Sequence, residues 1–168
     1  AGLRAHEICA LTIDQIPARD EIEKSLIAKK NIHIVLNVTK GMKKSTIPVS
    51  PDLLKKTRDY MDFERKEIIK KFREKSQLTR KAYSPPQEVF LSLKTGQALQ
   101  PRTLSNQIRT GWCQAVKDGE LTEDQHVWTH GLRHRFATTI SKGVSERTNI
   151  RDPQQVIKML TRHKHAST

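Results

Sequence analysis

Acidic residues are scarce in this chain: 18 Asp plus Glu stand against 31 Lys plus Arg, leaving a net charge of +13 and a pI near 10.0. A compact body that repels itself this strongly calls for a polyanionic partner, with nucleic acid the leading candidate and an anionic membrane surface the runner-up. Long apolar runs are missing too. None approaches the ~18 residues of a spanning helix, and no amphipathic stretch joins a basic face to Trp and Phe, so both membrane readings fall away. Only Cys9 and Cys113 are present, and neither sits in a paired motif. That excludes a disulfide framework and points to a reducing, cytoplasmic, nucleoid-associated setting. The opening Ala-Gly-Leu-Arg carries no signal-like apolar region, and no internal repeat or low-complexity segment is visible. A length of 168 residues suffices for one domain with a real core, or for one domain and an appendage.

What is there in abundance is cationic and proton-transferring chemistry, and it is densest at residues 129–137, Thr-His-Gly-Leu-Arg-His-Arg-Phe-Ala. Leu132, Phe136 and Ile140 recur every fourth residue, which predicts a helix with those three on a buried stripe. His130 and Arg133, three apart, then share a neighbouring face. An imidazole and a guanidinium at a helix start suit a phosphate: the terminus offers N–H groups and a positive dipole end, Arg a planar fork, His a transferable proton. A merely solvated basic helix start fits the same spacing.

Elsewhere the pattern predicts a helix over residues 2–11, a short strand over 12–16, and a polar excursion over 17–30, either an inserted loop or a short helix. Ile32, Ile34, Leu36 and Val38 alternate with polar neighbours, and residues 39–44 turn the chain into Thr46 to Val49. This is a β-hairpin with a basic tip that includes Lys40, Lys43 and Lys44. Ser50 and Pro51 cap and open a charge-rich helix running from Leu53 to about Lys75, with Leu54, Met61, Ile68, Ile69 and Phe72 as a thin apolar seam. Residues 77–86 read as a linker and 88–93 as a short extended piece. Residues 101–117 form a helix that buries Leu104, Ile108, Trp112 and Val116, and Asp118-Gly119 ends it. Gly143 stops the helix that carries Arg133. A last helix starts at Pro153, covers 154–160, and leads into the cationic Arg162-His163-Lys164-His165.

Four of these features occur in a telling order: Gly-Leu-Arg4-x-x-Glu7, a hairpin with Thr39-Lys40-Gly41, His130-x-x-Arg133 within His-Gly-Leu-Arg-His-Arg-Phe-Ala-Thr, and an apolar helix ending at His163-Lys-His-Ala-Ser-Thr. In this the chain resembles the catalytic domain of the tyrosine recombinases, the phage integrase family, over nearly its whole length. The resemblance implies a mainly α fold with a small antiparallel β-sheet. It also implies a site-specific recombinase or integrase that cuts and rejoins double-stranded DNA through a 3′-phosphotyrosine, with no metal or cofactor required, acting as a homo-oligomer, a tetramer on paired sites. It assigns Arg4 and Arg133 to clamping the non-bridging oxygens and Lys40 to protonating the leaving 5′-oxygen. His130 accepts the tyrosine proton or supports the phosphate, His163 hydrogen-bonds the phosphate, and Glu7 is a supporting acid. Lys43, Lys44 and Arg135 are expected to contact the DNA backbone. On this reading Arg4, Lys40, His130, Arg133 and His163 converge on one basic cleft.

The chain departs from the family pattern in several places. No tyrosine follows His163, and Tyr60 and Tyr83 lie in the wrong segments to replace the nucleophile. Arg162 stands where a glycine is usual, and residues 17–31 and 145–152 are longer than typical. The expectation is therefore a single catalytic-domain fragment spanning residues 1–168, without the N-terminal DNA-binding domain and without the tyrosine segment. Two other functions stay open: a non-catalytic DNA-binding module on the same fold, and a metal site built from His126, His130 and His134 at i, i+4, i+8, near His163 and His165.

Overall fold

A strand with period two buries one face and wets the other, and residues 32–36 and 45–49 have that period. In the computed structural model of the chain, which describes residues 2–37, 44–80, 82–146, 152, 155 and 156, the elements run in the order α1 (Ala5–Cys9), a single 3-10 turn (Ile13–Gln15), α2 (Arg19–Ile27), β1 (Ile32–Leu36), β2 (Ser45–Val49), α3 (Pro51–Asp62), α4 (Glu64–Thr79), α5 (Pro101–Lys117) and α6 (Thr129–Ser145). The fold is mainly α with one small antiparallel sheet, as the sequence predicts. β1 and β2 pair antiparallel, with Ile32 opposite Val49 and Leu36 opposite Ser45. Ile32, Ile34, Leu36, Ile47 and Val49 are buried, while His33 and Val35 face solvent. Pro48 stands opposite His33. Lacking an N–H, Pro48 is tolerated where the backbone points away from the partner strand, and there it blunts the outer edge of β2.

The Ser50 hydroxyl accepts from Leu53 N at 3.4 Å and Pro51 occupies the first turn, so α3 begins where the cap predicts. The charge-rich helix is not continuous, however. It breaks at Phe63 (φ −114°, ψ −81°) into α3 and α4, and no Gly or Pro marks the break. Residues 12–16 form the 3-10 turn rather than a strand. Thr12 keeps a single bridge to Glu88, and the Gln15 side chain accepts from Thr12 N and donates to the Val35 carbonyl on β1. Residues 19–27 resolve the choice between loop and helix in favour of a helix.

Two compact units make up the fold, residues 6–103 and residues 2–5 with 104 onward. The first unit is built on Ile22, Leu54 and Val89, which are fully enclosed. The α4 residue Arg65 is also buried there. Its guanidinium donates to the carbonyls of Pro86 (2.6 Å), Glu88 (3.1 Å) and Val89 (3.1 Å), pinning a chain segment whose peptide groups have few ladder partners. Arg19 on α2 reaches Asp59 (2.9 Å) and Asp62 (2.8 Å) on α3.

In the second unit, α5 occupies the predicted span. Leu104, Ile108, Trp112 and Val116 share one face, but all four are half-buried rather than enclosed. α6 continues through Gly143 to Ser145. Of the expected last helix, only Gln155 and Val156 lie among the described residues, and both are helical.

Candidate active site

The burial of α6 differs from the expected stripe. Leu132 is 47% exposed, Phe136 and Ile140 are half-buried, and the enclosed residues are Arg133, at 5%, and Val144. The cause lies in residues 2–5. Arg133 Nη1 donates to the Gly2 carbonyl, and the Phe136 ring lies on Gly2 so closely that a Cβ there would come within 2.3 Å of Phe136 Cδ1. Arg133 and Phe136 are three apart and so fall on one side of the helix; one supplies a hydrogen bond and the other an apolar lid. Gly2 itself has φ +58°, a conformation other residues adopt only at a cost. This is why α1 begins only at Ala5 rather than at residue 2: residues 2–4 are not helical, and Gly2 is held against α6.

Arg4 is therefore carried, half-buried, on a segment anchored two residues earlier by Arg133 itself. His130 sits on the first turn of α6, exposed, with its ring edge-to-face with His134 at 4.4 Å. The two predicted partners on α6 thus differ: an enclosed guanidinium and an open imidazole. A guanidinium held by a backbone carbonyl presents its planar fork in a fixed direction to the oxygens of an anion, and an open imidazole can exchange a proton with a ligand or with water. Arg135 is exposed on the same helix.

The start of α6 carries an aromatic cluster that period and composition do not reveal. The His126 ring meets Trp112 edge-to-face at 4.5 Å and stacks on Trp128 at 5.2 Å and 21°. The Trp128 indole also lies on Gly131, where a Cβ would approach its ring carbons to 2.7 Å. His126 precedes α6 and is held between indoles, so the i, i+4, i+8 histidine row does not exist as a helical face. Among the described residues no three metal-ligating side chains come together. The local clue is Trp128 two positions after His126, just before the His130 motif; Trp112 lies 14 positions before His126, and nothing local joins it to them.

In the first unit, Glu7 is enclosed, at 1% exposure, and Lys44 is exposed. Lys40, Lys43 and His163 lie outside the described residues. Both tyrosines belong to the first unit and have structural duties. Tyr60 Oη accepts from Leu91 N at 3.1 Å, and Tyr83 Oη donates to the Gly96 carbonyl at 2.8 Å. Burial pushes the Tyr83 hydroxyl pKa up, the wrong direction for a nucleophile. No helix among the described residues is long and apolar enough to cross a membrane.

The sequence model described as "Phage integrase family" matches residues 1–168. The fold is similar to the crystal structure of XerA recombinase, with a TM-score of 0.61, 19% sequence identity, and coverage of 98% of this chain and 46% of that one. The chain thus spans about half the length of that structure. No curated protein matches it.

Proposed function

The chain belongs to the phage integrase family, and on that footing we propose that it is the catalytic region of a tyrosine recombinase that cuts and rejoins double-stranded DNA through a 3′-phosphotyrosine. The observation that carries the reading is the Arg133 arrangement. Arg133 is enclosed and its guanidinium is held by the Gly2 carbonyl, which fixes the direction of a planar fork suited to gripping phosphate oxygens. Arg4, on the segment that Arg133 anchors, supplies the second guanidinium. Two such groups can neutralise the charge that builds on the non-bridging oxygens of a five-coordinate phosphorus without a metal ion.

In the proposed step a tyrosine oxygen bonds to phosphorus as the bond to the 5′-oxygen breaks. His130 takes the tyrosine proton, and Lys40 protonates the departing 5′-oxygen, a duty an arginine cannot perform because it does not release its proton. His163 hydrogen-bonds the phosphate, and Glu7 supports the site as a buried acid. Lys43, Lys44 and Arg135 bind the backbone, which makes affinity fall steeply with salt. With Tyr60 and Tyr83 committed to backbone hydrogen bonds, the nucleophile is a tyrosine outside these 168 residues. We assign residues 1–168 to one catalytic region, acting as a tetramer on paired DNA sites.

The test is a nicked duplex that carries the recombination site, incubated with the full protein in excess chelator. The reading predicts a protein–DNA adduct that survives denaturing detergent. Tight DNA binding with no adduct would replace it with the alternative, a DNA-binding module on the same fold.

A further inference from the structure

Helices are commonly started by Ser, Thr, Asp or Asn, whose side-chain oxygen accepts a backbone N–H of the first turn. α6 has Trp128 at that position, with no side-chain cap hydrogen bond. An indole has no oxygen to offer, so the start of this helix needs another means of fixing its place. We propose that Trp112, His126 and Trp128 form an aromatic clamp that fixes the first turn of α6, which makes Trp128 a positioning residue for His130 and Arg133.

Three relationships within the second unit support the clamp. The His126 ring bridges the two indoles, edge-to-face with Trp112 at 4.5 Å and stacked on Trp128 at 5.2 Å. Both arrangements are ones that ring quadrupoles favour, so the cluster has a preferred geometry rather than a merely greasy one. The Trp128 indole then lies against Gly131, close enough that any Cβ there would strike it. Gly131 is thus the complement of Trp128: the indole seats on the turn because position 131 has no side chain. Finally, Ser105 Oγ and Thr129 Oγ1 are 3.2 Å apart, a second tie between α5 and the same turn.

The ring stack and the hydroxyl pair therefore bracket the residue on either side of His130. Because the His130 side chain is exposed and meets the ring of His134 on the same helix, its aim is set by the backbone of that turn. A shift of the turn by about 1 Å is of the size that costs on the order of 10²-fold in rate when reacting groups are misaligned. The link to catalysis rests on the recombinase reading; the clamp itself does not.

The experiment uses the full protein and four variants: Trp128→Ala, Trp128→Phe, Gly131→Ala and the Trp128→Ala/Gly131→Ala double. The first readout is amide hydrogen exchange at residues 132–134, without DNA, starting at Leu132, whose N–H closes the first turn on the Trp128 carbonyl at 3.0 Å. Trp128→Ala is expected to speed it by roughly three- to tenfold, the fold-change matching the loss of one aromatic pair, and Trp128→Phe to restore most of the protection. Gly131→Ala alone should act like Trp128→Ala, but should add little in the double variant, because the ring it strikes is gone. The second readout is adduct formation on a nicked duplex: Trp128→Ala should slow it by about 10- to 100-fold with duplex affinity unchanged, and Trp128→Phe should recover most of the rate. Unchanged exchange in Trp128→Ala, or costs of the two single substitutions that simply add, would overturn the clamp. Absence of any adduct with the wild-type protein would instead count against the recombinase reading, and the exchange data would still decide the clamp. Should Trp128→Ala fail to fold, Trp128→Phe and Gly131→Ala carry the same comparison.

Discussion

The Arg133 guanidinium donates to the backbone carbonyl of Gly2, 131 positions earlier in the chain. Together with the Phe136 ring on Gly2, this contact means that α6 seats the segment bearing Arg4 with one polar and one apolar side chain from the same helical face. Two guanidiniums remote in sequence are thereby linked through a single glycine. The arrangement ties the placement of Arg4 to the integrity of Arg133, so damage to either partner propagates to the other.

Gly2→Ala tests that linkage. The added methyl would meet the Phe136 ring at 2.3 Å, and φ is +58°, so the substitution combines a clash with a left-handed backbone that costs a non-glycine residue about 1–3 kcal/mol. The expected result is a lower urea midpoint. A variant as stable as the wild type would show that the segment is not seated in this way.

Arg65→Met should destabilise the first unit. Methionine fills much of the volume but leaves the carbonyls of Pro86, Glu88 and Val89 without the donor they now share. Each orphaned carbonyl costs about 1–3 kcal/mol when buried. Denaturant unfolding should register at least one such loss; Arg65→Lys, with a single ammonium, should recover only part of it.

Acid stability should depend on Arg19. Hydrogen bonds from Arg19 hold the Asp59 and Asp62 carboxyls below the usual carboxylate range; Lys55 adds to the effect at Asp59, and desolvation opposes it at both. A lowered folded-state pKa contributes stability that is fully present above the ordinary carboxylate value and is lost as pH falls through the lowered values. The gain is modest, because all three side chains are solvent-accessible. Thermal midpoints of wild type and Arg19→Gln, followed from pH 7 to pH 2, should therefore be furthest apart at the upper end and converge once both carboxyls are protonated. A constant gap down to pH 2 would contradict the assignment.

Features governed by near neighbours were legible in the sequence. The alternation at Ile32, Ile34 and Leu36 marked β1, Ser50 and Pro51 marked the start of α3, and the span of α5 followed from its four-residue period. Features governed by distant partners were not. The break at Phe63 has no local breaker, and the four-residue pattern puts Leu132 on the hidden face of α6 because it carries no sign that Gly2 draws Arg133 inward. The pairing of His126 with two indoles depends on Trp112 of α5 reaching the residues just before α6, which no periodicity reports. At the candidate site, the residue types were readable, but the division of labour between an enclosed Arg133 and an open His130 was not.

The central claim is that Arg133 stabilises phosphorus chemistry rather than merely holding DNA, and Arg133→Lys tests it most directly. Lysine keeps the positive charge but lacks the planar fork that can hold the Gly2 carbonyl and an oxyanion together. Duplex affinity and the rate of detergent-stable adduct formation, measured on the same nicked DNA, should separate: affinity nearly intact, adduct formation reduced on the order of 10²-fold or more, as when a preorganised oxyanion donor is lost. Equal losses in affinity and in rate would contradict the account.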